Sequence, residues 1–330
     1  MTNELTKHTI FLGRHAESIL KSDVLPILKT MREKLSNRIL NATPFQIARI
    51  QIMLKEIDSI IDTAIIKIQP SLFESFQALG EYETQYATKL LDSSTIASVT
   101  IGAGLEPAVI TAMLTTSKMY LGDDKGQTID DLIATFAKAV KKDIKSIITT
   151  GLTAGDTTDV IAKNMIALNS TRTIDQARAV VLSVASHVSN ESMMATWKPY
   201  THLFDGLEYI SVLDNRTTSL CISRSGKVYE FSKAPSVPAH YRCRSRLSPK
   251  LKKEYDLFTE STQSSQFGQV PASWTYNDWL KRQSAAVQDE VLGKARGLAY
   301  RKSGALIDKF IDRKGIFYTL SELKNKDLLK

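Results

Sequence analysis

Along the first 205 residues the apolar positions recur at steps of three and four, the period of an α-helix, and from Leu207 they change to alternation. The segment 10–20 is apolar at roughly helical spacing, and Val24, Leu28, Met31, Leu35 and Ile39 make one stripe over 24–40. Thr43-Pro44-Phe45-Gln46 reads as a helix start, with Thr43 as cap, Pro44 in the first turn and Gln46 placed as in a capping box. From it Ile47, Ile50, Leu54, Ile57, Ile61, Ile65 and Ile68 form a long stripe that Pro70 is expected to end. Further helices are predicted over 72–91, 107–120, 128–150, 156–169 and 173–197. The segment 92–104, rich in Ser, Thr and Gly, reads as an extended connector, and 151–158 as a loop. Each apolar stripe fits helix-on-helix packing, and each equally fits a partner-binding helical face, since both need one apolar side.

Asp205-Gly206 is a turn signal, and the domain boundary is placed there. Beyond it, 207–213 (LEYISVL) and 227–231 (KVYEF) alternate and are rich in β-formers. After Pro249 the pattern predicts a return to helix, then a polar loop over 259–270, then a block from Trp274 to Arg301 and a Lys-rich tail. The expected fold class is α+β: a mostly α-helical N-terminal domain, 1–205, followed by a small α+β C-terminal module, 206–330.

Length and composition narrow the class. A chain of 330 residues, 43% hydrophobic and 24% charged, has room for two ordinary globular domains. The chain holds no uncharged apolar run of membrane-spanning length, and the charged first thirty residues lack the apolar stretch of a signal peptide, so no membrane partner is expected. Two cysteines do not make a secreted disulfide framework, although oxidising conditions could bridge Cys221 to Cys243. The formal charge of +8 is uneven: residues 206–330 carry 22 Lys+Arg against 13 Asp+Glu, or +9, which leaves −1 for residues 1–205. Such an asymmetry bears on partners such as DNA.

The candidate chemistry concentrates between Val212 and Pro249, which contain both cysteines, three of the nine prolines and a dense set of arginines. Cys221, His240 and Cys243 supply two thiolates and an imidazole, and Asp214 could add a carboxylate to complete a tetrahedral zinc set. The same residues also fit a packed, hydrogen-bonded cluster in a compact turn, because free Cys is among the most buried residue types. Alternation places Asp214 and Arg216 on one face, where an arginine fork can hold a carboxylate or backbone carbonyls. Arg242, Arg244, Arg246, Lys250, Lys252 and Lys253 form a basic run without an acid; if extended, its three arginines point to one side and could meet successive phosphates of double-stranded DNA. A solvated basic face is the alternative. Trp274, Tyr276 and Trp279 suit loop anchors better than base-stacking platforms.

The order Asp214-x-Arg216-Thr217-Thr218, Cys221, Gly226-Lys227-Val228-Tyr229, Pro235, Pro238 and His240-x-x-Cys243-Arg244-Ser245 resembles the signature of the phage Mu F-like minor head proteins, the phage head morphogenesis family. A second block, Trp274 to Gln283 followed by Gln288 to Gly293, is similar to the tail of the same module. The resemblance covers about 206–330. It implies a non-catalytic, low-copy minor structural protein of a tailed-phage or prophage head, assembled in the bacterial cytoplasm and carried inside the virion. The implied partners are the portal protein, capsid or scaffold proteins and packaged or ejected DNA. Many members carry two further cysteines at the positions of Thr218 and Ser245, a departure that weakens the zinc set here. The alternative function is an enzyme with a nuclease-like or toxin-like C-terminal module, but no paired carboxylate and metal-ligand motif accompanies His240, and no separate effector domain is expected in the chain.

Overall fold

In the computed structural model, residues 1–330 are described apart from 43–49, 103, 123–124, 258–260 and 329–330. The expected helix start at Thr43 and the first stripe residue Ile47 therefore lie outside the described residues. The chain is 66% helical with small antiparallel sheets, a mostly helical α+β protein.

The helices of the N-terminal part are α1 (Thr2–Ile19), α2 (Leu25–Leu40), α3 (Ile50–Ser94), α4 (Pro107–Thr116), α5 (Ile129–Ala154), α6 (Thr158–Leu168) and α7 (Ile174–Trp197). Val24, Leu28, Met31, Leu35 and Ile39 are all buried, as their spacing requires. On α3 the buried stripe is Met53, Ile57, Ile61, Ala64 and Ile68, with Ile50, Leu54 and Ile65 half-buried beside it. Pro70 does not end α3, which continues to Ser94. A proline loses the bond to the carbonyl four residues back; here that residue is Ile66, 70% exposed, so water can take the place of the missing N–H. Helix α5 starts on a reciprocal Thr128–Asp131 capping box and stops where Gly155 turns left-handed. It thereby absorbs the first half of the expected 151–158 loop. A π-helical segment, Asn169–Thr173, leads straight from α6 into α7.

Strand β1 (Phe204–Ile210) takes in Asp205-Gly206, so the expected turn is a bulge in a strand, where the register shifts between Phe204 and Gly206. Glycine is required there, because a Cβ would lie 2.6 Å from the carbonyl oxygen of Tyr229. β1 is central in a three-stranded antiparallel sheet, flanked by β2 (Val228–Tyr229) and β3 (Arg246–Leu251). β3 replaces the helix expected after Pro249, and as an edge strand it accommodates that proline. The polar loop expected over 259–270 contains a hairpin, β4 (Thr262–Ser265) and β5 (Gly268–Pro271). Short helices α8 (Ser219–Arg224), α9 (Tyr276–Lys281), α10 (Ala285–Leu292), α11 (Lys294–Ser303) and α12 (Leu320–Asn325) complete the chain.

The compact units do not follow the division expected at 205/206. One comprises Met1–Phe11, Glu83–Leu105 and Asn190–Lys330, and the other Leu12–Tyr82 and Glu106–Ser189. In the first unit, helical residues Leu5, Ala87, Leu91 and Trp197 share a core with Phe204, Ile210 and Leu251 of the sheet, which draws these segments to the C-terminal module. A second core holds Tyr276, Trp279, Leu280, Tyr300 and Phe310, with Tyr276 and Trp279 fully buried as anchors. The second unit packs its own helices, tied by Lys145–Asp58 and Arg178–Glu17 ion pairs.

Candidate metal centre

β1 presents Leu207 and Tyr209 to a third core that also contains Cys221, Val237, Ala239, Cys243 and Leu247. Cys221 comes from α8, whose N-cap is Thr218. The chain returns past Gly226 in the left-handed region and a cis Val237-Pro238 bond to His240 and Cys243. Ser211 fixes α8 from the strand end by donating its hydroxyl to the carbonyl of Cys221 at 2.7 Å.

The two sulfurs lie 3.7 Å apart, and Cys221 Sγ lies 3.2 Å from His240 Nε2. All three donor atoms fall within 4.8 Å of one another, so the group could hold a metal ion. A disulfide needs about 2.05 Å between sulfurs, and both cysteines are free. Two sulfurs bound tetrahedrally to one zinc at about 2.3 Å each would stand about 3.8 Å apart. His240 Nδ1 donates to the carbonyl of Tyr241 at 2.8 Å, which leaves the Nε2 lone pair of the neutral ring facing the sulfurs.

The environment of the donors is graded. Cys221 and Cys243 are 2% and 4% exposed, His240 is half-buried and Thr218 is exposed. The hydrogen bond to Cys221, with backbone bonds from Ala239 and Ser245, outweighs burial and lowers the Cys243 thiol to about 6. Its partner Cys221, bonded to Cys243 and buried, is pushed up to about 12. The pair therefore behaves as one thiolate solvated by one thiol. Burial alone would lower His240, but its contact with Cys221 prevails and raises it. Burial, with both cysteines as neighbours, holds the Tyr209 hydroxyl well above its ordinary range.

Asp214 does not join the donors. Its carboxylate takes two hydrogen bonds from Arg244, at 2.6 and 2.8 Å, and a third from the Thr217 hydroxyl at 3.1 Å. The expected Asp214–Arg216 side-chain fork is likewise replaced: Arg216 gives Asp214 its backbone N–H at 3.1 Å, and the fork comes from Arg244. The basic run also divides. Arg244 is committed to Asp214, and Arg246 is 2% exposed, with burial lowering its pKa and the charges of Glu83 and Cys243 offsetting part of that. The three arginines therefore do not line one outer face. Arg242, in the left-handed region, Lys250 and Lys253 are exposed, and Lys252 is half-buried.

The sequence reading missed several residues as participants. Thr218 Oγ1 donates to His240 Nε2 at 2.9 Å, the Tyr209 hydroxyl lies 3.3 Å from Cys221 Sγ, and Ser245 bonds Cys243. Thr218 and Ser245 were noticeable only as positions where the resembling proteins often have cysteine. Nothing but its place on the inner face of β1 marked Tyr209. No family model, curated protein or solved structure matches the chain.

Proposed function

We propose that this chain is a minor structural protein of a tailed-phage or prophage head, acting beside the portal in capsid assembly, and that zinc holds its C-terminal module together. The observation that supports this reading is the convergence of the signature residues. Asp214 pairs with Arg244, 30 positions on, while Cys221 gathers at one point with His240 and Cys243, which lie 19 and 22 positions further along the chain. Those positions therefore have one shared structural task, the closing of a compact module. A zinc ion suits the donors because two buried sulfurs and a neutral imidazole are its preferred ligands, and because the His240 ring is already oriented by a backbone carbonyl. The role is one of assembly rather than catalysis, with the amphipathic helices as the protein-binding part and the cations at Arg242, Lys250, Lys252 and Lys253 as the DNA-facing part.

The test is co-expression of the full chain with the portal protein encoded in the same phage or prophage genome, followed by affinity purification through the portal. Recovery of the chain with the portal at fixed stoichiometry is expected. Its absence from washed portal, with both proteins folded, would remove the reading.

A further inference from the structure

We propose that the Cys221, His240 and Cys243 centre is coordinatively open: its fourth position faces solvent at Thr218 and takes a small monodentate donor, water or an anion, rather than a protein side chain. This deepens the metal reading above and rests on it. Three observations carry it.

The first is the donor count. Among the described residues the candidate ligand group ends at three, and the nearest acidic residue of the signature, Asp214, is held by the Arg244 fork. The second is direction. The sulfur side of the group is buried in the core with Tyr209 and Leu207, whereas the His240–Thr218 side is where the group reaches solvent. The third is what stands at that side. Thr218 Oγ1 is 2.9 Å from Nε2, the lone pair a metal would use. A neutral hydroxyl is not among the usual zinc donors, which are thiolate, imidazole and carboxylate. A metal on Nε2 would release the Thr218 hydroxyl from the ring and leave it free to hydrogen-bond whatever occupies the fourth position. Three protein ligands with an exchangeable fourth is the arrangement of zinc sites that accept outside ligands, whereas purely structural sites are closed by four.

The full chain loaded with Co(II) distinguishes the alternatives. A thiolate-to-cobalt charge-transfer band together with strong visible d–d bands is expected, and titration with azide should shift the d–d bands saturably. Thr218→Cys should bind Co(II) more tightly, strengthen the charge-transfer band and abolish the azide response, while Thr218→Ser should keep it. Charge transfer with d–d bands that azide leaves unchanged in the native sequence would overturn the open position yet keep the metal. The absence of any charge-transfer band, in protein whose circular dichroism is intact, would overturn the metal reading itself.

Discussion

Arg244 grips Asp214 with both prongs of its guanidinium, Nη1 to Oδ2 at 2.6 Å and Nη2 to Oδ1 at 2.8 Å, and so ties the segment leading into β3 to the loop that precedes α8. The pair is only partly exposed, at 29% and 14% of the two side chains, so it contributes more than a surface ion pair. Lysine cannot reproduce the fork, and Arg244→Lys should cost roughly 1–3 kcal/mol in chemical unfolding. Burial alone would raise the Asp214 pKa, but Arg244, Thr217 and the Arg216 N–H prevail and hold it below 3.8. A lowered carboxylate stabilises fully above its unfolded pKa and less as pH falls through the folded one. The difference between native and Arg244→Lys protein should therefore be constant near neutrality and shrink below pH 3.8. A difference that stays constant down to the lowest pH at which both proteins fold would contradict the pairing.

The thiol pair gives a second pH dependence, in a higher window. In metal-free protein, Cys243 ionises near 6 against an ordinary value of 9.0, so between those values the unfolded chain binds the extra proton. Stability should rise with pH across that interval, and fall again above 9.0, where the unfolded chain releases the Cys221 proton that the folded chain holds up to about 12. Cys243→Ser should remove the slope, which urea titrations at several pH values would show.

Zinc binding should appear as one equivalent by elemental analysis of the full chain, and chelation should lower the unfolding temperature. Cys221→Ser, His240→Ala and Cys243→Ser should each lose the metal, whereas Asp214→Asn should keep it, since Arg244 and not the metal site holds that carboxylate.

DNA binding, if it uses the basic run, has fewer charges than the sequence suggests. With Arg244 paired and Arg246 buried, the contributors reduce to Arg242, Lys250, Lys252 and Lys253. The logarithmic salt slope should then be no steeper than about −3.6, at about −0.9 per phosphate. Replacing the three lysines by Gln should remove most of it, equally for all sequences. Anisotropy titrations of the full chain at two salt concentrations measure this, and no binding at low salt would eliminate the DNA contact.

What could be read in advance follows from the range of each interaction. The stripes at Val24–Ile39 and around Ile57–Ile68 depend on residues a turn apart, and local spacing reveals them. The cysteines and His240 were legible because their chemistry leaves few alternatives. Pro70 misled because its effect depends on which side of α3 faces water, and Asp205-Gly206 because the glycine is needed for a strand neighbour, Tyr229, more than twenty positions away. The fates of Arg244 and Arg246 were hidden for the same reason: period-two spacing places them on one side of a strand, but Asp214 and the core, both distant in the chain, decide where each side chain goes.

The most direct test of the central claim is the protein composition of particles purified from the phage or induced prophage that carries this gene. Quantitative mass spectrometry should find the chain in both procapsids and DNA-filled heads, at a low, fixed ratio to the portal. Infectious particles that assemble at normal yield and contain none of it would contradict the account.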